Sequence, residues 1–272
     1  MGPEQTSPEQ AATEHSVSTA DATQANVCSV DNRAFRDGER ITYKLYYNWN
    51  FVWLSAGEVT FSVNELEDQY HLRAVGKTYR SYEWFFKVRD YYDSYVNKST
   101  LLPEVSIRDI EEGKYRLYDR VTFNQEAGMA YSLRGKSKAT AEMSNYQIEN
   151  CMHDVLSMVY YLRNLDISEY QEGDVIPLKI FMDKETWPLR MHYEGQEKGV
   201  KVKGMGRFNT IRVQPEVIAG DIFDEDTEMN IWVTDDANRL PVLIESPLSV
   251  GSVKAVLKDY NNLRYEVTSA VD

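Results

Sequence analysis

Hydrophobic and polar residues alternate along most of the chain. Ile41, Tyr43, Leu45, Tyr47 and Trp49 are interleaved with Thr42, Lys44, Tyr46 and Asn48. Trp53, Val59, Phe61 and Val63 are followed through Glu58, Thr60 and Ser62 in the same rhythm. Tyr115, Leu117, Val121 and Phe123 alternate with Arg116, Tyr118, Arg120 and Thr122. A period of two sends side chains to opposite faces of a sheet, so each stretch predicts a half-buried strand. The composition agrees, because Tyr, Val, Ile, Phe and Trp fit a pleated surface. Turn residues separate the stretches: Glu111-Glu112-Gly113, Gln125 to Gly128, Asp235 to Asn238, and Asn261-Asn262. Strands are expected from residue 40 to 147 and again from 175 to 267.

One segment changes period. Met152, Val155, Leu156 and Val159 recur at helical spacing, with Leu162 one turn on, which predicts a helix over 151–164 with Asn150 as its N-cap. A shorter helical turn is expected over Tyr82–Lys87. Short connections imply antiparallel pairing. The expected fold is mainly β: a large curved antiparallel sheet, closed or half-open like a barrel, with one main helix packed on it or plugging its mouth. It forms one domain over 28–272. Residues 1–27 stand apart, with no Lys, Arg, aromatic, Leu or Ile, and read as a disordered acidic and polar tether.

Composition narrows the function classes. With 30 basic and 43 acidic residues the net charge is −13, the wrong sign for a nucleic-acid partner. No apolar run is long enough for a transmembrane helix. Tethers of this composition follow export signals or lipidated cysteines in envelope proteins. Met1-Gly2 reads as an introduced start, leaving room for such a signal or lipid anchor upstream. The expected location is the periplasm or the outer-membrane surface. Cys28 and Cys151 are the only cysteines. They read as a disulfide tying the start of the domain to the first turn of the helix; the alternative is two unrelated thiols.

No reaction centre stands out, and neither a cofactor nor a metal is expected. His153, Asp154 and Ser157 come nearest. His153 and Ser157 share a helix face, but Asp154 points about 100° away, so the bland reading is decoration of a first helical turn. The acidic run Asp221–Glu228 lacks the spacing of a calcium loop and reads as a solvated hairpin tip. Gly204-Met205-Gly206 has no helix after it, so a strand kink explains it as well as a phosphate loop. The four histidines show no ligand spacing. The 43 acids offer too many carboxylate pairs for any one to be singled out as hydrolytic.

Aromatic clustering is more informative. Trp49, Phe51 and Trp53 fall at a strand connection, and Tyr79, Tyr82, Trp84, Phe85 and Phe86 form a second knot. Adjacent Phe85 and Phe86 cannot both point inward from one strand. Aromatics left outside mark binding surfaces, although a large aromatic core is the simpler explanation. Trp49, Trp53, Tyr82, Trp84 and Phe85 are the candidate ligand-binding residues.

Several motifs together resemble a known family. They are Gly38 to Tyr47, Ala56-Gly57-Glu58-Val59-Thr60, Asp90-Tyr-Tyr-Asp-Ser-Tyr95 ahead of Leu101-Leu102-Pro103, Asp154 to Arg163, Gly173-Asp174, Trp232 to Ile244, and Gly251 to Leu257. In this order they resemble the bacterial exported family called domain of unknown function 3108, in its Bacteroides-type version with a long tether. The resemblance implies an exported, antiparallel β protein and supplies no catalytic or binding residue. The leading expectation is a non-enzymatic envelope protein that binds a lipid-like or glycan ligand on the concave face of its sheet. The alternatives are an envelope hydrolase, using a carboxylate pair or the His153 region, and a structural partner in an envelope assembly.

Overall fold

A computed structural model describes residues 28–49, 52–84, 86–217, 228–248 and 251–271. The tether, the positions of Phe51 and Phe85, and nearly all of the acidic run Asp221–Glu228 fall outside these. The first half is a meander of β1 (Arg40–Trp49), β2 (Val52–Glu65), β3 (Gln69–Thr78), β4 (Val88–Asn97), β5 (Pro103–Glu112), β6 (Tyr115–Asn124), β7 (Met129–Gly135) and β8 (Glu142–Gln147). The helix α1 (Val155–Leu162) follows. The second meander is β9 (Val175–Met182), β10 (Glu185–Val202), β11 (Gly206–Pro215), β12 (Asn230–Thr234), β13 (Pro241–Pro247) and β14 (Ser252–Asn261). A two-residue strand, β15 (Ala270–Val271), pairs with β11.

Within each meander, successive strands pair antiparallel, and β14 pairs with β1, so the two meanders fuse into one 15-stranded sheet with β8 and β9 at its ends. The alternation read from the sequence is the alternation of faces. Ile41 and Tyr43 of β1, Val63 of β2, Leu72 and Ala74 of β3, and Leu117, Val121 and Phe123 of β6 are buried. Turn chemistry also holds. Gly113 and Gly128 take positive φ in the hairpins after β5 and β6, and Pro241 opens β13. Gly204 and Gly206 both take positive φ at the β10–β11 turn, so this Gly-x-Gly serves a hairpin and has no helix to form a phosphate loop.

Helix α1 lies between the meanders. Leu156 and Tyr160 pack with Val63, Leu72, Ala74 and Val96 of β2–β4. Met158 packs with Ile176, Leu178, Met191 and Ile211 of β9–β11. The helix is shorter than 151–164, and Asn150 is not its cap. Asp154 caps it instead: its Oδ1 accepts from Leu156 N at 2.7 Å and Ser157 N at 3.0 Å, while Ser157 Oγ accepts from Asp154 N. Residues before it cannot be helical, because Cys151 has φ +59° and His153 is extended in a parallel bridge to Ile180 of β9. At the expected helical turn, residues 82–84 form a turn and Phe86 N donates to Tyr82 O, four residues back.

The sheet is half-open. No ladder joins β8 to β9. The chain leaving β8 occupies the β9 edge, with Phe181 N donating to His153 O at 2.8 Å. Side chains cross the remaining seam. Arg108 of β5 and Arg134 of β7 both contact Asp119 of β6 and Asp183 in the β9–β10 turn, at 2.6–2.9 Å. Val121, Phe123, Ile148, Met152 and Phe181 form a small apolar core beneath them. Cys28 is bonded to Cys151, 123 residues away, with Cα atoms 5.5 Å apart. From there, residues 29–39 strap the end of the sheet where β4 turns into β5. Val30 N donates to Ser99 O, and Phe35 meets Tyr160 edge-on.

Candidate functional site

The concave face of β1–β4 does not close down on α1. Between them lies a cavity of about 1090 Å³. Val155, Leu156 and Val159 of α1 form its floor, and Leu45, Val59, Phe61, Ala74 and Tyr92 its walls. Two glycines help to make the space. A Cβ on Gly57 would stand 2.3 Å from Lys77 O, so β2 and β3 could not approach as they do. Ala56 is the extra residue where the β1–β2 register shifts between Leu45 and Tyr46. Gly76, opposite Val59, presents no side chain to the cavity it lines.

The exposed end of the cavity is aromatic. Tyr82, Trp84 and Phe86 line it together with Leu54 and Leu248. Trp84 is 84% exposed and Phe86 48%. The turn carrying them is anchored at both ends. Tyr79 N donates to Ala56 O at 3.0 Å, and Tyr79 Oη donates to Glu58 at 2.6 Å. Arg89 pairs with Glu83, and Lys87 with Glu111 at 2.8 Å. Gly113 lies under the Phe86 ring, where a Cβ would come within 2.9 Å.

Of the residues expected to bind ligand, Tyr82 and Trp84 line the cavity. Trp53 does not. Its ring lies under the Lys254 ammonium, 4.6 Å from the centroid, and Lys254 is held by Glu245. An exposed Trp near a strand end can face either way, and a lysine paired to its face explains its position without a ligand. Phe85 and the side chain of Trp49 lie outside the described residues.

Polar groups also reach the cavity. Along β4 the inward face carries Val88, Asp90 and Tyr92, so a carboxyl stands at an apolar parity. Val88 pairs with Glu112 and Asp90 with Ile110, which makes Asp90 and Glu112 diagonal neighbours on that face. Burial, and then the Glu112 charge, push Asp90 up to about 7, against the backbone hydrogen bond from Glu111. The sequence held this signal as an acid in phase with Val88 and Tyr92.

The His153 region is assembled as a helix start. His153 Nδ1 is 3.1 Å from Ser157 Oγ, and His153 is only 4% exposed. Burial lowers the imidazole to about 3, so it is neutral. The Asp154 carboxylate spends one oxygen on the cap, and the other accepts from Ser94 Oγ at 2.5 Å. No acid orients the imidazole, and Ser157 Oγ is occupied by Asp154 N. Among the described residues no group of three or more His, Cys, Asp or Glu is placed to hold a metal.

Comparison with known proteins places the fold. A β-barrel-like protein of domain of unknown function DUF1849 from Brucella abortus has the same architecture, with a TM-score of 0.56 at 9% identity, over 85% of this chain and 99% of that one. None of the curated proteins matches the chain. The sequence profile described as protein of unknown function, DUF3108, matches residues 42–258, and over that much of its length the chain belongs to this family.

Proposed function

We propose that this protein is a non-enzymatic cell-envelope protein that carries or senses a lipid-like molecule in the cavity between β1–β4 and α1. The observation that supports this is the cavity itself. At about 1090 Å³ it stands at the top of the roughly 300–1,000 Å³ range of small-molecule sites. Its floor and most of its wall are apolar, and its open end is ringed by Tyr82, Trp84 and Phe86. A deep apolar pocket suits an alkyl chain better than a glycan, which would leave its hydroxyls without partners. An extracytoplasmic location is supported by the Cys28–Cys151 bridge, because such bonds persist in oxidising compartments.

Titration of the purified protein with dodecanol and, separately, with maltooligosaccharides tests the reading. Tryptophan emission is the signal, since Trp84 lines the mouth. A saturable change with dodecanol and none with the sugars is expected. A response to the sugars alone would move the site to the glycan class, and silence with both would remove the ligand-binding reading.

A further inference from the structure

One stretch of the cavity wall is acidic, in contrast to its apolar floor. Asp90 and Glu112 line the wall near the aromatic turn, as diagonal neighbours on one face of the β4–β5 pair. Neither forms an ion pair with Lys, Arg or His among the described residues. The basic groups nearby are turned elsewhere. Arg89 alternates with Asp90 and is held by Glu83. Lys87 and Arg116 are held by Glu111. Lys77, the one lysine among the described residues of the wall, sends its ammonium over the Tyr91 ring, on the face opposite Tyr92. Lys44 and Lys203 stand over Tyr46, 5.5 and 5.1 Å from its centroid. The other titratable groups on the wall are the phenols of Tyr46, Tyr47, Tyr82 and Tyr92.

Resting on the cavity reading above, we infer that this site takes amphiphiles whose polar end is an ammonium or a neutral hydroxyl, and turns away those that end in a carboxylate or phosphate. An alkyl chain laid on Val155, Leu156 and Val159 leaves its head on the opposite wall, where the acid pair stands. A carboxylate brought there loses its water and meets two acids in a medium that screens poorly. An ammonium meets two acceptors and replaces part of its hydration with charge-assisted hydrogen bonds. A hydroxyl donates to either carboxyl and carries no charge to repel. This differs from an apolar pocket that ranks ligands by chain length alone.

The test compares three probes with one chain: dodecylamine, dodecanol and dodecanoate, at about pH 8, where Asp90 and the fatty acid are mainly ionised. We expect dodecylamine to bind at least about tenfold more tightly than dodecanoate, with dodecanol between them. In the Asp90→Asn, Glu112→Gln double variant the amine-to-acid ratio should fall to within about threefold, while dodecanol still binds, its hydroxyl now donating to an amide oxygen. Saturable dodecanol binding also reports that the variant is folded. The wild-type ranking needs no variant at all. Equal binding of the three probes, or tighter binding of dodecanoate, overturns the head-group inference and leaves the cavity reading standing. Failure of all three to bind overturns both.

Discussion

His153 shows how far burial alone can set a residue's behaviour. The imidazole is enclosed by α1, β9 and Tyr161, with Ser157 Oγ as hydrogen-bond partner. Its folded pKa of about 3 lies below the ordinary value of 6.5. The unfolded chain therefore binds a proton that the folded chain refuses. Stability is fully present above about pH 6.5 and is lost as pH falls towards about 3, by an amount of order 3–5 kcal/mol. Asp90 has the opposite sign. Its folded value is raised to about 7, so its contribution is present below about pH 4 and is lost as pH rises through 7. Urea unfolding from pH 3 to 8 separates the two. His153→Gln should flatten the acid limb, and Asp90→Asn should flatten the limb towards neutrality. An unchanged acid limb in His153→Gln would mean that the imidazole is not kept neutral.

At the scale of elements, the strands and their hairpin partners were legible, and the pairing that joins one meander to the other was not. Alternation in β1 and β6 reports which side chains share a face, because the period of a strand is a local property. Which strand of one meander lies beside which of the other is a long-range property. Nothing near Arg40 announces that β1 pairs with β14, more than two hundred residues away. The helix was legible from its apolar spacing, but its start was misread. Asn150 has the right chemistry for a cap; the fold instead uses residues 151–154 to cover the β9 edge and leaves capping to Asp154. The candidate site residues divide in the same way. The Tyr82–Phe86 knot was visible as more aromatics than one strand can bury. Asp90 was visible only once its parity with Val88 was known, and Trp53 needed Lys254 to be placed. Asp154 joins cap to sheet through Ser94, so its removal should cost more than an ordinary cap. Asp154→Ala is expected to lower unfolding free energy by about 2–3 kcal/mol, against about 1 kcal/mol for a solvent-facing N-cap. Asp154→Asn, which keeps an acceptor oxygen, should recover at least half of that in the same urea measurement.

At the scale of the molecule, the weak line is the seam between β8 and β9. Elsewhere each strand is held along its length by a ladder. Here the two ends of the sheet meet through a single bridge at His153, a cluster of four charged side chains and a small apolar core. Asp119 is the centre of that cluster. It is 2% exposed and accepts from Arg108, Arg134 and Ser132. The disulfide falls on the same line, since Cys151 lies where the chain crosses from β8 to β9. A covalent bond across a loop of this length contributes about 5 kcal/mol in the chain-entropy treatment. Its local effect should be uneven. Meander β1–β4 is laddered on both sides and keeps the cavity wall without it. The 148–154 crossing and β9 have no such support. Reduction, or the Cys28→Ser, Cys151→Ser pair, should therefore lower global stability by several kcal/mol and raise amide hydrogen exchange first in 148–154 and β9. Exchange in β2 and β3 should stay near its original rate, and dodecanol should still bind. Uniform loss of protection across both meanders would show instead that the staple supports the whole sheet, and that the seam is no weaker than the ladders beside it.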